Sequence, residues 1–268
     1  MTTTRANQIL VCDDPHISDI WSGFDTTFAC SNEEVQNLYA TVKPNCIWIA
    51  PRYSDMLMLG NIVGNSRGNH CLLCLEPTDG TDQHYLNAKF SLVVSPDDGL
   101  KLLPIEEIAE IIGLPDSEDY IIGGIVNLAN SSVVLYRGNL APITLPLAWF
   151  EAGPNSPQPN PDDFEIIDFG QTIRMGEFEA GTEAILYEFD PLFRRRDKER
   201  RINTDDSFGG ALRRLRLQRG LKQSDFSPGT STKEVGRIER GEVATLHERT
   251  IENLAQHLGV APEEIQSY

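Results

Sequence analysis

The sequence has no run of 18 apolar residues, so it offers no segment able to cross a bilayer as a helix. The opening stretch MTTTRANQILVCDD carries one Arg and meets acidic residues before a signal-peptide core can form, and a cytoplasmic location is expected. Cysteine is sparse: Cys12, Cys30, Cys46, Cys71 and Cys74 are five among 268 residues, too few for a disulfide framework and odd in number, as suits a reducing compartment. The catalytic signatures GxGxxG after a strand, GxxxxGK followed by Ser or Thr, GxSxG and HExxH are all missing. Nothing in the residues calls for an enzyme, a cofactor or a metal. Cys71 and Cys74 form a CxxC inside the apolar run HCLLCL with no second pair, and they read as strand cysteines.

Positive charge is also scarce. The chain has 23 Lys and Arg against 40 Asp and Glu, a net charge of -17, which on average disfavours nucleic acid and anionic membranes. The average hides an asymmetry. Residues 191–268 hold 15 basic and 12 acidic residues, a net of +3, and residues 1–190 hold 8 and 28, a net of -20. An acidic body joined to a basic end is a hint of nucleic-acid contact, and no membrane partner is expected.

What is present suggests several domains. Apolar runs at Gln8–Cys12, Cys46–Ala50 and Cys71–Leu75 read as buried strands, alternating with helical patterns at Glu33–Val42 and Asp55–Val63. This predicts an α/β domain over 1–84 with a parallel sheet. Residues 85–190 read as an α+β domain of mostly antiparallel pairing. Its expected strands are Phe90–Val94, Ile121–Val126, Ser132–Tyr136, Ile143–Leu145, Phe164–Ile167 and Ile185–Tyr187, with a helix at Ile105–Ile112. Turn signals such as Pro96-Asp97-Asp98-Gly99 and the loop Pro154–Pro161 separate them. Residues 191–206, with RRRDKERR, read as a basic linker.

Residues 207–268 read as an all-α set of helices with marked ends. Ser207 caps a helix through Leu217 whose apolar face is Phe208, Leu212, Leu215 and Leu217, and Gly220 stops it. A short second helix starts near Lys222 and turns Phe226 inward before Pro228-Gly229. Ser231 opens a third, Thr232–Arg240, with Val235 and Ile238 inward and Lys233, Gly236, Arg237 and Arg240 outward. Thr250–Leu258 makes a longer helix closed by Gly259, followed by a last turn from Pro262 to Ile265. Two short helices around a tight turn, the second with outward basic and small polar residues, make a helix-turn-helix that fits a DNA major groove.

The phrases LRRLRLQRGLKQSDF, TSTKEVGRIERGE and TIENLAQHLGVAPEEI, in this order, resemble the lambda-repressor/Cro-like (XRE) family over residues 207–268. The stretch between Phe226 and Ser231 is shorter than the family pattern and contains Pro228, so a clipped second helix is expected. The resemblance implies that Gln223 meets the phosphate backbone and that Glu239 is structural, paired with Arg213 or Arg216. Ser231, Thr232 and Lys233 at the start of the recognition helix are candidates for base edges, Arg237 for a guanine or a phosphate, and Arg240 is a further DNA-binding candidate. Upstream, GNLAPITLPLAWF and PDDFEIIDFGQTIRMGEFEAGTEAILYEFD resemble a bacterial family that places a domain of unknown function before the same helix-turn-helix. The opening ILVCDDP with the alternation after it is similar to a response-regulator receiver domain. Asp13 and Asp14 match that family's acidic pair, but Ala50 stands where its phosphate-accepting aspartate would be, which implies a pseudo-receiver.

The expected function is therefore a sequence-specific, non-enzymatic regulator of transcription. It would bind double-stranded DNA as a homodimer, through an acidic body that dimerises or senses a protein or small-molecule effector. The competing reading is an antitoxin-like or scaffolding protein that binds a protein partner and autoregulates through the same helices.

Overall fold

The computed structural model describes residues 7–60, 69–97, 99–153, 156–243 and 245–267. The expected helix continuation at 61–63, Asp98 of the first turn and Pro154 of the long loop lie outside the described residues. The chain divides into two compact units, with the boundary between Asp190 and Pro191.

The first unit opens with β1 (Gln8–Val11), α1 (Pro15–Trp21), β2 (Thr26–Ala29), α2 (Asn32–Thr41), β3 (Ile47–Ala50), α3 (Tyr53–Gly60), β4 (Cys71–Cys74), α4 (Gly80–Asn87) and β5 (Leu92–Val94). All neighbouring strands pair in parallel in the order β2-β1-β3-β4-β5. Alternate residues go to opposite faces, as a strand's period of two requires. Leu10, Ile49 and Leu73 enter one core with Trp21 and Ile108, while Ile9, Val11, Trp48 and Leu72 enter another with Val35, Met56, Leu59 and Leu86. A sheet covered on both faces needs apolar residues at nearly every strand position, and β1 and β3 are buried throughout.

The unit continues with β6 (Lys101–Leu102), α5 (Ile105–Gly113), β7 (Ile121–Asn127), β8 (Ser132–Arg137), β9 (Pro142–Pro146), β10 (Phe164–Ile167), β11 (Thr172–Met175), β12 (Phe178–Gly181) and α6 (Thr182–Phe189). The strands β6-β7-β8-β9 and β10-β11-β12 form two antiparallel sheets. Two expectations are corrected here. Ile185–Tyr187 is helical, because Ile185 and Leu186 are the buried stripe of α6 and not alternate faces of a strand. The expected strand at Phe90–Val94 closes the parallel sheet as β5, so the expected boundary at 84/85 falls inside α4. The two halves share one core: Ile108, Ile111 and Ile112 of α5, with Ile122 and Leu140, pack with Leu10, Ile49, Leu73 and Val94 of the parallel sheet. Gln8 also donates to the Ile112 carbonyl at 2.7 Å.

The second unit comprises α7 (Pro191–Asn203), α8 (Phe208–Gln218), a 3-10 turn at Gln223–Phe226, α9 (Thr232–Glu239), α10 (Glu248–Leu258) and a closing 3-10 turn at Pro262–Ser267. The expected linker at 191–206 is thus mostly helix. Its charges support the helix through four-residue spacings, Arg201 to Asp197 at 2.8 Å and Arg195 to Glu199 at 3.2 Å. Leu212, Leu215, Phe226, Val235, Ile238, Leu254, Leu258 and Ile265 form one core. Leu217 does not join it and is 55% exposed, since the stripe that carries Leu212 and Leu215 continues at Arg216. Among the described residues no helix is long and apolar enough to cross a membrane.

Candidate nucleic-acid interface

The geometry of the second unit is set by how its helices are stopped and tied. Ser207 Oγ accepts from the Gly210 amide and Ser231 Oγ from the Glu234 amide, so each hydroxyl caps its helix. The second helix is reduced to one 3-10 turn. Asp225 accepts from the Lys222 amide at 2.8 Å to open it, and Ser227 is extended, as a residue before proline prefers to be. The close of α9 is a left-handed Gly241 at φ 69°, with the Gly241 amide on the Ile238 carbonyl and the Glu242 amide on the Arg237 carbonyl.

An ion pair joins these pieces. Arg216 at the end of α8 donates from Nε and Nη2 to the two Glu239 oxygens at 2.6 and 3.1 Å, and from Nη1 to the Leu221 carbonyl at 2.9 Å. Both side chains are buried, at 9% and 2% exposure. Of the two partners expected for Glu239, Arg216 is the one found. Gln223 Nε2 donates to the same carboxylate at 2.8 Å. Gln223 thus sits half-buried at the seam between the short turn and α9, with its amide committed to Glu239, where the resemblance implied a phosphate contact.

The outer face of α9 carries the other sequence-derived candidates. Thr232, Lys233 and Arg237 are exposed, while Val235 and Ile238 face the core. Ser231 is exposed but its hydroxyl serves the cap. Arg240 is exposed and follows the last helical residue. Gly236, expected outward, is buried, because the Arg240 guanidinium and the Gln223 amide lie over it. Sequence reasoning passed over Glu242, whose carboxylate meets Arg240 Nε at 2.6 Å and Nη2 at 3.2 Å, and lies 3.7 Å from Arg237 Nε.

The other sequence-derived place of interest is the carboxyl edge of the parallel sheet, where doubly wound folds bind ligands. Asp13 and Asp14 follow β1, and Ala50, buried, ends β3. Arg52 fills the space between them. It pairs with Asp13, with Asp14 at 3.2 Å and with the fully buried Asp55 at 2.9 Å. Asp55 first and Asp13 second hold the guanidinium still more firmly in its charged form. Asp14 also caps α1 by accepting from the His16 amide at 2.9 Å. Burial pushes the neighbouring Cys12 thiol up to about 11, away from thiolate reactivity. Cys71 and Cys74 enter opposite cores of the sheet, so the CxxC does not converge on one ligand.

Residues 207–267 match the sequence profile of a helix-turn-helix domain. No curated protein and no solved structure matches the chain. The C-terminal helices are thus a helix-turn-helix of the kind that binds DNA.

Proposed function

We propose that the chain is a sequence-specific DNA-binding regulator of transcription of the XRE type, without enzymatic activity. The observation that carries this reading is the face of α9. Thr232, Lys233 and Arg237 stand exposed on a helix whose other side is locked into the core, and whose end is pinned to α8 through Arg216 and Glu239. A recognition helix needs this division: a fixed inner side that sets its angle and an exposed outer side that meets base edges. Thr232 and Lys233 read bases, and Arg237, one turn on, meets a guanine or a phosphate. Gln223 and Ser231 act mainly by positioning, through the bonds described above.

The acidic unit supplies dimerisation or sensing. One helix-turn-helix makes few contacts, and a homodimer on half-sites about one helical turn apart supplies the rest. The strand order β2-β1-β3-β4-β5 is that of the flavodoxin-like and receiver folds, and it supports a receiver-like origin. With Ala50 at the acceptor position and Arg52 on the acidic pair, signalling would proceed without an aspartyl phosphate. With a net charge of -20, residues 1–190 are repelled by the DNA backbone, so contact falls to residues 191–268. That same charge favours a second reading in which the body binds a basic protein, antitoxin-like, and co-purification of such a partner would support it.

The test is binding of the full chain to the DNA upstream of its own gene. Lys233→Ala and Arg237→Ala should each weaken it by about 1–3 kcal/mol. A wild-type chain that binds this DNA no better than random duplex, or variants that bind as the wild type does, would sink the reading.

A further inference from the structure

Two of the exposed cations on the recognition surface already hold an anion. Gly241 turns the chain back so that the Glu242 amide is bonded to the Arg237 carbonyl, which fixes where the Glu242 side chain starts. From there the carboxylate offers one oxygen to Arg240 Nε at 2.6 Å and the other to Nη2 at 3.2 Å, the fork geometry a phosphate also adopts. The second oxygen lies 3.7 Å from Arg237 Nε. All three side chains are about half exposed, so these pairs add little to folding stability. A carboxylate just beyond the C-terminus of a helix is also opposed by the helix dipole. Stability does not account for this residue.

We propose that Glu242 is an internal phosphate mimic that holds Arg237 and Arg240 and must be displaced when DNA binds. This inference rests on the DNA-binding reading above. A phosphate that takes both guanidiniums leaves the Glu242 charge beside the backbone, and random DNA, bound by the backbone alone, incurs that electrostatic penalty in full. On a cognate sequence Arg237 turns to a guanine and Glu242 keeps its fork on Arg240, so the penalty is smaller there. Glu242 is therefore a specificity-determining residue that acts by weakening non-specific association. Arg240 and then Arg237 hold its carboxyl below the usual carboxylate range, so the gate is charged throughout the physiological range.

The experiment compares the full-length wild type with Glu242→Gln on two probes, a random-sequence duplex and the upstream DNA of the gene, over a salt series. Circular dichroism establishes that both are folded. Glu242→Gln should bind the random duplex roughly 3- to 10-fold tighter near 0.1 M salt, with a salt slope steeper by about one, and gain less on the upstream DNA. Glu252→Gln removes the same charge from α10 and should change affinity less than about twofold. In an Arg237→Ala/Arg240→Ala background the Glu242→Gln gain should fall to the small size of the Glu252→Gln effect. Unchanged or weaker binding by Glu242→Gln, an equal gain from Glu252→Gln, or a gain that survives without the two arginines would each overturn the inference. Should the wild type bind neither probe, the DNA-binding reading itself falls, and the inference with it.

Discussion

At the scale of single residues, the chain's chemistry lies in buried charges that are paired and a buried base that is not charged. Glu239 is buried and serves both Arg216 and Gln223. Glu239→Ala should therefore destabilise the second unit by roughly 3 kcal/mol, because a buried guanidinium is left without its partner. The thermal midpoint of that unit should fall by more than about 10 °C by calorimetry. Replacing the whole pair, Arg216→Met with Glu239→Leu, should recover most of the loss. His70 is the opposite case. It is buried among Tyr39 and Trp48, its Nδ1 accepts from the Cys46 amide at 3.4 Å, and burial lowers its pKa. Above about pH 6.5 it is neutral both folded and unfolded and costs nothing. As pH falls below that value the unfolded chain takes the proton first, so stability of the first unit should decline until the lower folded-state pKa is passed. Melting curves from pH 8 to 5 should show this decline, and His70→Asn, which keeps the acceptor and removes the titration, should flatten it.

At the scale of elements, the approach of the 227–230 turn to α10 decides how the recognition helix is held. A Cβ on Gly229 would strike the side-chain amide of Asn253, which accepts from Thr230 Oγ1 at 3.0 Å. Gly229→Ala should push Asn253 aside, break that bond and cost about 1–2 kcal/mol in chemical denaturation. On an Asn253→Ala background the same change should add almost nothing. Elements were legible in the sequence where their ends or their burial were marked. The helices that follow α7 are bounded by Ser207, Gly220, Ser231, Gly241 and Gly259, and β1, β3 and β4 are unbroken apolar runs. β2 escaped notice because only Ala29 of Thr26–Ala29 is buried, as befits an edge strand. The helix α1 hid behind its own cap, since Asp14, matched in sequence to a receiver's acidic pair, is the N-cap that precedes Pro15 at the helix start. The six candidate contacts were legible as positions but not as roles: no local pattern tells that Gln223 turns to Glu239, or that Glu242 comes round to Arg240, since both depend on the chain folding back.

For the molecule as a whole, a net charge of -17 describes neither unit. Residues 191–268 carry a net +3 and residues 1–190 a net -20. The charge asymmetry was readable from residue counts, whereas the extent of the acidic unit was not, because a shared core leaves no trace in local composition. That core has a consequence for ancestry. Since α5 lies against the parallel sheet with Ile108, Ile111 and Ile112, a gene fragment ending near residue 84 would encode a sheet without β5 and with one face covered by α1 alone. The parallel-sheet half is therefore not a portable module. It can be inherited, duplicated or fused to another output only together with the antiparallel half that covers it, whereas the break after Asp190 separates parts that recombination could exchange whole.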